Sequence, residues 1–178
     1  MVVQVRWCRD RATWQPCRSS TSVQTMNIND KLASLGIELA PAPGAKGSYV
    51  PTLVVDSFVF VSGMLPLVGD TIPVTGIVGA TVSPEEAQAA ARQCMINMFS
   101  RLATDLGSLD KIAQWVKLTG FVASTPAFTA QPAVMNAASD LVVEVFGEQG
   151  RHTRSAVGVS SLPLGTPVEI EAILRLKA

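Results

Sequence analysis

Residues 153–176 read TRSAVGVSSLPLGTPVEIEAILRL, and this stretch decides the fold. From Val168 to Leu176 the chain alternates strictly. Val168, Ile170, Ala172, Leu174 and Leu176 lie on one face, with Glu169, Glu171, Ile173 and Arg175 on the other. That period of two predicts a long closing strand with one face packed on a core. The turn Leu162-Pro163-Leu164-Gly165 precedes it, and Ser155–Val159 reads as a shorter strand that Arg154 begins.

Working back toward the N-terminus, Gln131-Pro132 opens a helix whose Val134, Ala138, Leu141 and Val145 face inward and which Gly147 ends. Trp115 to Ala123 is rich in β-formers and reads as a strand. Ser83-Pro84-Glu85-Glu86 is a helix start: serine caps free amides, proline takes the first helical position and Glu86 closes a capping box. That helix is expected to run to Leu106, with Gly107 at its end and Ala87, Ala91, Cys94, Met98 and Leu102 on its buried stripe. Leu53–Val55 and Phe58–Val61 predict two strands around the turn Asp56-Ser57, and Ile72–Val78 a further short strand. Residues 40–48 (APAPGAKGS) are loop, and Ile28, Leu32 and Leu35 mark a short helix stopping at Gly36. The order predicts an α/β (α+β) domain: a mixed six-stranded sheet covered on one face by two helices. The opposite face needs a partner to bury it.

Composition agrees. At 178 residues, 48% hydrophobic and only 16% charged, the chain fits one domain with a substantial core and some surface hidden in an oligomer. The longest apolar stretch, Thr52 to Leu67, is broken by Asp56, Ser57 and Gly63, short of the roughly 18–20 residues of a membrane-spanning helix. Fourteen basic and fourteen acidic side chains cancel, so no net field favours nucleic acid or an anionic membrane. Cys8, Cys17 and Cys94 have no paired ligand spacing and His152 is the only histidine, which argues against a metal centre or a disulfide framework. A cytoplasmic protein is expected. Residues 1–25 stand apart, with Arg6, Arg9, Arg11 and Arg18 against the single acid Asp10. They read as a disordered or mis-annotated extension with Met26 as the working start, in preference to a mitochondrial-type presequence. Residues 26–178 form the single domain.

Candidate chemistry concentrates near the C-terminus. Arg154 beside the small, neutral Ser155-Ala156-Val157-Gly158 offers a two-pronged donor for a carboxylate or phosphate, or is a surface arginine at a strand edge. Glu169 and Glu171 share the strand face that no helix covers. They are solvated, paired with arginines at a subunit contact, or able to polarise water, and burial would raise the pKa of at least one. His152 follows a polar turn with no nucleophile motif around it. Gly63, Gly69, Gly76 and Gly79 make no phosphate-cradling pattern. Tyr49, the only tyrosine, leans into a cleft or packs at the edge of the first strand.

Together these residues resemble the Rid family, also called YjgF-type proteins or reactive-intermediate deaminases. The similarity covers Gly47 to Leu176. It is carried by Gly47-Ser48-Tyr49-Val50, Phe60-Val61-Ser62-Gly63, the Ser83-to-Gly107 helix and Gly120-Phe121-Val122. Its most specific part is Arg154-Ser155-Ala156-Val157-Gly158-Val159 with Leu162-Pro163 and Val168-Glu169-Ile170-Glu171-Ala172. The resemblance implies a chorismate-mutase-like fold and a homotrimer with clefts between subunits. It also implies hydrolytic deamination of 2-enamine or 2-imine acids, such as 2-aminoacrylate, to 2-keto acids and ammonia without a cofactor. Arg154 then matches the arginine that binds the substrate carboxylate, and Glu169 the acid near the attacking water. Tyr49, Asn136 and Ala156 match other substrate-binding positions. The chain departs from the family pattern at Met64, usually glutamine, and at Ala156, often cysteine. The helix-to-arginine connection is one residue longer and contains His152, and extra residues precede Tyr49. The alternative is a non-catalytic trimer that binds small carboxylate metabolites. Ribonuclease activity, a label attached to parts of this family, is opposed by the neutral charge and the lack of a basic, aromatic-interleaved patch.

Overall fold

The computed structural model describes residues 27–42 and 47–178, and the backbone strands β1 (Trp7–Asp10) and β2 (Thr13–Pro16), which pair antiparallel. The expectation for residues 1–25 otherwise falls outside the described residues.

Strong local signals produce the elements they predict. Asn27 caps α1 (Ile28–Ser34) by accepting from the Asp30 amide at 2.8 Å. In α2 (Pro84–Leu106) the Ser83 hydroxyl accepts from the Glu86 amide at 3.2 Å, while the Glu86 carboxylate accepts from the Ser83 amide at 2.8 Å. Gly107 ends that helix in the left-handed region at φ 79°. Removing the capping hydroxyl in Ser83→Ala is expected to destabilise the fold by about 1 kcal/mol. Thermal unfolding should register it as a Tm lower by about 3 °C. The helix α3 (Gln131–Phe146) buries Val134, Ala138, Leu141 and Val145 as the spacing predicts.

One sheet carries the domain, with β3 (Thr52–Val55), β4 (Phe58–Met64), β5 (Ile112–Ala123), β6 (Thr153–Val159) and β7 (Val168–Leu176) in the order β3-β4-β7-β5-β6. Only β5 and β6 run parallel, and α3 provides the crossover between them. The sheet has five strands rather than the expected six. Residues 72–78 do not pair as a strand: Pro73 lacks an amide donor, Gly76 sits at φ 131°, and Val78 forms only isolated bridges, to Val82 and Ser124. The β3–β4 hairpin turns at Asp56, whose φ is 53°.

Helices α2 and α3 cover one face of the sheet. Phe99 from α2, Trp115 from β5 and Phe146 from α3 meet edge-to-face with ring centroids 5.4–5.8 Å apart. Val59, Leu118, Ile170 and Leu174 are fully buried beneath the helices, and Cys94 of α2 is fully buried against them. Gly120 lets α3 close on the sheet, because a β-carbon there would overlap the Met135 side chain. No helix covers the other face. Leu53, Val55, Phe58, Phe60 and Val157 are exposed on it, beside half-buried Phe121 and Ile173. In the single chain this apolar face is left open to solvent. Among the described residues no helix is long and apolar enough to cross a membrane.

Candidate functional site

Strand register decides which candidate residues meet. Arg154 on β6 stands opposite Leu118 on β5, which stands opposite Ala172 on β7. Leu118 and Ala172 are buried under the helices, so Arg154 belongs to the helix-covered face. Ala156 and Gly158, two and four residues on, share it. Glu169 on β7 stands opposite Phe121, which stands opposite Val157. That row lies on the uncovered face. The predicted arginine and glutamate therefore occupy opposite faces of the same sheet.

On the covered face, at the β6 edge, Arg154 reaches under α3. Its Nη1 donates to Asn136 Oδ1 at 3.1 Å and to Ser139 Oγ at 2.9 Å, and its Nη2 donates to the Pro132 carbonyl at 3.1 Å. All three acceptors are neutral. A guanidinium has five N–H donors. Three are used here, leaving the Nε–H and the second Nη2–H for a ligand. The fork is fixed by α3, and among the described residues no acid bonds it. That suits a carboxylate. Ser139 extends the group: its hydroxyl lies 3.0 Å from His152 Nε2, and His152 Nδ1 lies 2.6 Å from the Gly150 carbonyl. Burial holds the His152 pKa below its ordinary value of 6.5, and the Arg154 charge depresses it further, against the opposing pull of the Gly150 carbonyl. Asn136, Arg154 and Ala156 thus come together as a set, and His152 joins them.

Glu169 and Tyr49 border a second cleft, of about 520 Å³, which Gly63 and Met64 of β4, Arg101 of α2 and Leu164 also line. None of Arg154, Asn136 and Ala156 borders it. The β4–β7 register slips between Val61 and Met64, a bulge that sets Gly63 against Glu169. A β-carbon on Gly63 would overlap Glu169 Oε1. Gly63→Ala is therefore expected to swing that carboxyl aside and lower any turnover that uses it about tenfold. Steady-state kinetics would show the loss in kcat. Half-burial raises the Glu169 pKa above its ordinary value, and the neighbouring Glu171 charge raises it further. Buried Cys94 has its thiol pKa pushed well up by desolvation, and by Glu169, so it is inert. The loop following β4 is pinned to α2 by Asn97 Nδ2, which donates to the carbonyls of Leu65 at 2.8 Å and Leu67 at 2.9 Å.

Two residues at these positions were not singled out from the sequence. Ser139 follows Asn136 by three on α3, a spacing that places both on one helix face. Arg101 of α2 is buried beside Ser100 and bridged to Asp105 at 2.5 Å. No group of His, Cys, Asp and Glu suited to a metal ion occurs among the described residues.

The chain and its fold have known relatives. The family model described as "YjgF/chorismate mutase-like, putative endoribonuclease" matches residues 29–171. Protein TCP17 of Trypanosoma cruzi is 44% identical over 155 residues, which is 86% of this chain and 97% of that protein. The structure of Atu1372 from Agrobacterium tumefaciens, a protein of unknown function, superposes with a TM-score of 0.79 at 43% identity. The match covers 84% of this chain and 92% of that one. TdcF of E. coli, solved with bound serine, gives a TM-score of 0.52 at 28% identity over 80% of this chain and 98% of its own.

Proposed function

The chain belongs to the YjgF/chorismate mutase-like (Rid) family, and from that premise we propose that it hydrolyses 2-imino acids, formed from 2-enamine acids such as 2-aminoacrylate, at clefts between the subunits of a homotrimer. The observation that carries this reading is Arg154. Its guanidinium is fixed by three neutral acceptors on α3 and keeps two donors for a carboxylate. The serine bound by TdcF, a small amino-acid carboxylate, supports a ligand of that class.

Arg154 and Glu169 lie on opposite sheet faces, so one chain does not bring them to one substrate. Two copies do, if the β6 edge of one meets the uncovered apolar face of the next. A cyclic assembly repeats that head-to-tail contact and closes on itself. In such a cleft Arg154 holds the carboxylate and so fixes the adjacent C2 carbon of the imine. Water adds to C2, and its proton passes to Glu169 of the partner subunit. The same carboxyl then returns the proton to the amine nitrogen. The carbinol hydroxyl proton passes through the same carboxyl to the nitrogen as the C–N bond breaks, so the oxygen becomes the ketone and the nitrogen leaves as ammonia. A carboxyl whose pKa is raised by half-burial suits both transfers. No cofactor enters, and RNA is not the substrate in this reading.

Keto-acid release from freshly generated 2-aminoacrylate tests the proposal. Acceleration above the spontaneous rate is the expected result. No acceleration, with the same cleft still binding small carboxylates, would replace it with a metabolite-binding role.

A further inference from the structure

The covered-face cluster contains a hydrogen-bond chain that carboxylate binding alone does not require. Arg154 Nη1 reaches Ser139 Oγ at 2.9 Å, Ser139 Oγ reaches His152 Nε2 at 3.0 Å, and His152 Nδ1 reaches the Gly150 carbonyl at 2.6 Å. A carbonyl only accepts, so Nδ1 carries a proton. In the neutral imidazole Nε2 is then an acceptor. The Ser139 hydroxyl must donate to it, which turns a lone pair of Oγ toward Arg154. Protonating His152 reverses the middle link. Nε2–H now donates to Ser139 Oγ, which still accepts from Arg154, and the serine hydroxyl proton is released to point at another acceptor. A carboxylate seated on Arg154 is such an acceptor.

We propose that Ser139 and His152 are positioning residues that couple carboxylate binding at Arg154 to proton uptake by His152. The inference rests on the reading that Arg154 holds a carboxylate. Two effects act in the same direction. A bound anion offsets the Arg154 charge that opposes an imidazolium, and the freed serine O–H adds a donor to the ligand. The coupling is reciprocal: the ligand raises the His152 pKa, and a falling pH tightens the ligand. The depressed pKa of unliganded His152 agrees with an imidazole kept neutral until a ligand arrives.

Other charges around the imidazole do not supply this switch. On α3, Asp140 and Glu144 are exposed, and on β5 Lys117 is exposed. In the turn before β6, Arg151 pairs with Glu148 at 2.9 Å. Arg154 is the charged group that acts on His152.

His152 is the only histidine in the chain, so its imidazole proton resonances report its titration without assignment. The experiment is a proton NMR titration from pH 5 to 8 of the full chain with and without saturating pyruvate, alongside pyruvate affinities at the two ends. Pyruvate is expected to move the His152 midpoint upward, and to bind about fivefold more tightly at pH 5 than at pH 8. His152→Gln, which keeps a polar side chain but does not titrate, should flatten most of that dependence. Glu169, whose pKa is raised by half-burial and by Glu171, is intact in this variant, so the difference isolates His152. Ser139→Ala should shrink the midpoint displacement, and Ser139→Thr should restore it. Pyruvate bound with no movement of the His152 midpoint would overturn the coupling and leave the carboxylate site standing. Absence of pyruvate binding would overturn both. Loss of imine turnover with binding and coupling intact would strike only the deaminase reading.

Discussion

Arg154→Ala is expected to lower kcat/KM for 2-aminoacrylate-derived imine about a thousandfold while the protein stays folded. The size follows from what the guanidinium does. In the proposed reaction it would supply two parallel charge-assisted hydrogen bonds and the orientation of the reacting carbon, and losing both would remove several kcal/mol of transition-state stabilisation. The structural cost is smaller. Asn136 is exposed, and Ser139 and the edge of α3 are reachable by water, which replaces the three lost hydrogen bonds and leaves no acceptor buried without a partner. Arg154→Lys sharpens the test, because it keeps the charge without the planar fork. It should recover only part of the activity. Unchanged turnover in Arg154→Ala, with its near-UV circular dichroism preserved, would sink the proposed function.

Glu169→Gln is expected to lose turnover by about a hundredfold or more, the usual scale for removing a general acid–base group, and yet to melt at a higher temperature at pH 7. The stability sign follows from linkage. Half-burial and Glu171 raise the folded-state pKa of Glu169 above its ordinary value of 4.5. The protonated form is therefore the one the fold favours. Its contribution is fully present below pH 4.5 and is lost as pH rises through the raised value. At neutral pH the ionised carboxylate destabilises the fold, and the amide, which has no charge to desolvate, does not. Melting curves at pH 7 should separate the variant from the natural protein, and at pH 4 the gap should close. A Glu169→Gln protein that melts lower at pH 7 would mean that the carboxylate has a stabilising partner.

The two inactive variants together test where the site is built. Arg154→Ala retains Glu169, and Glu169→Gln retains Arg154. If each site takes its arginine from one copy and its glutamate from the next, trimers reassembled from an equal mixture carry one intact site in about four, since each contributor is correct about half the time. Activity near a quarter of the natural level is then expected after unfolding and refolding the mixture, and none from either variant alone. A site contained within one chain gives no recovery.

Much of this was legible in the linear chain, and the reasons are local. Ser83-Pro84-Glu85-Glu86 closes its own capping box within one turn, so α2 begins where the residues say it begins. Alternation along Val168–Leu176 places Glu169 on the uncovered face because side chains on a strand change face at every residue. Ile72–Val78 shows the limit of such reasoning. Its β-branched residues suggest a strand, but Pro73 and the glycines at 76 and 79 take the backbone away from any ladder. The proper length of β5, which starts at Ile112 rather than Trp115, was likewise set by its partner: β7 is long enough to pair with it from Leu176 to Val168.

The sequence by itself determined the element order apart from the strand expected at Ile72–Val78, the buried stripes, the amphipathic closing strand and the family to which these patterns belong. Only the tertiary structure decided that Arg154 and Glu169 face opposite ways. Each strand's alternation defines two faces, but which face meets the helices depends on the register between β6, β5 and β7. That register is a contact between segments dozens of residues apart. Ser139 has the same explanation. Nothing near it in the chain marks it as a link between Arg154 and His152. It becomes one because α3 crosses the end of β6 at the height where a serine hydroxyl spans a guanidinium and an imidazole.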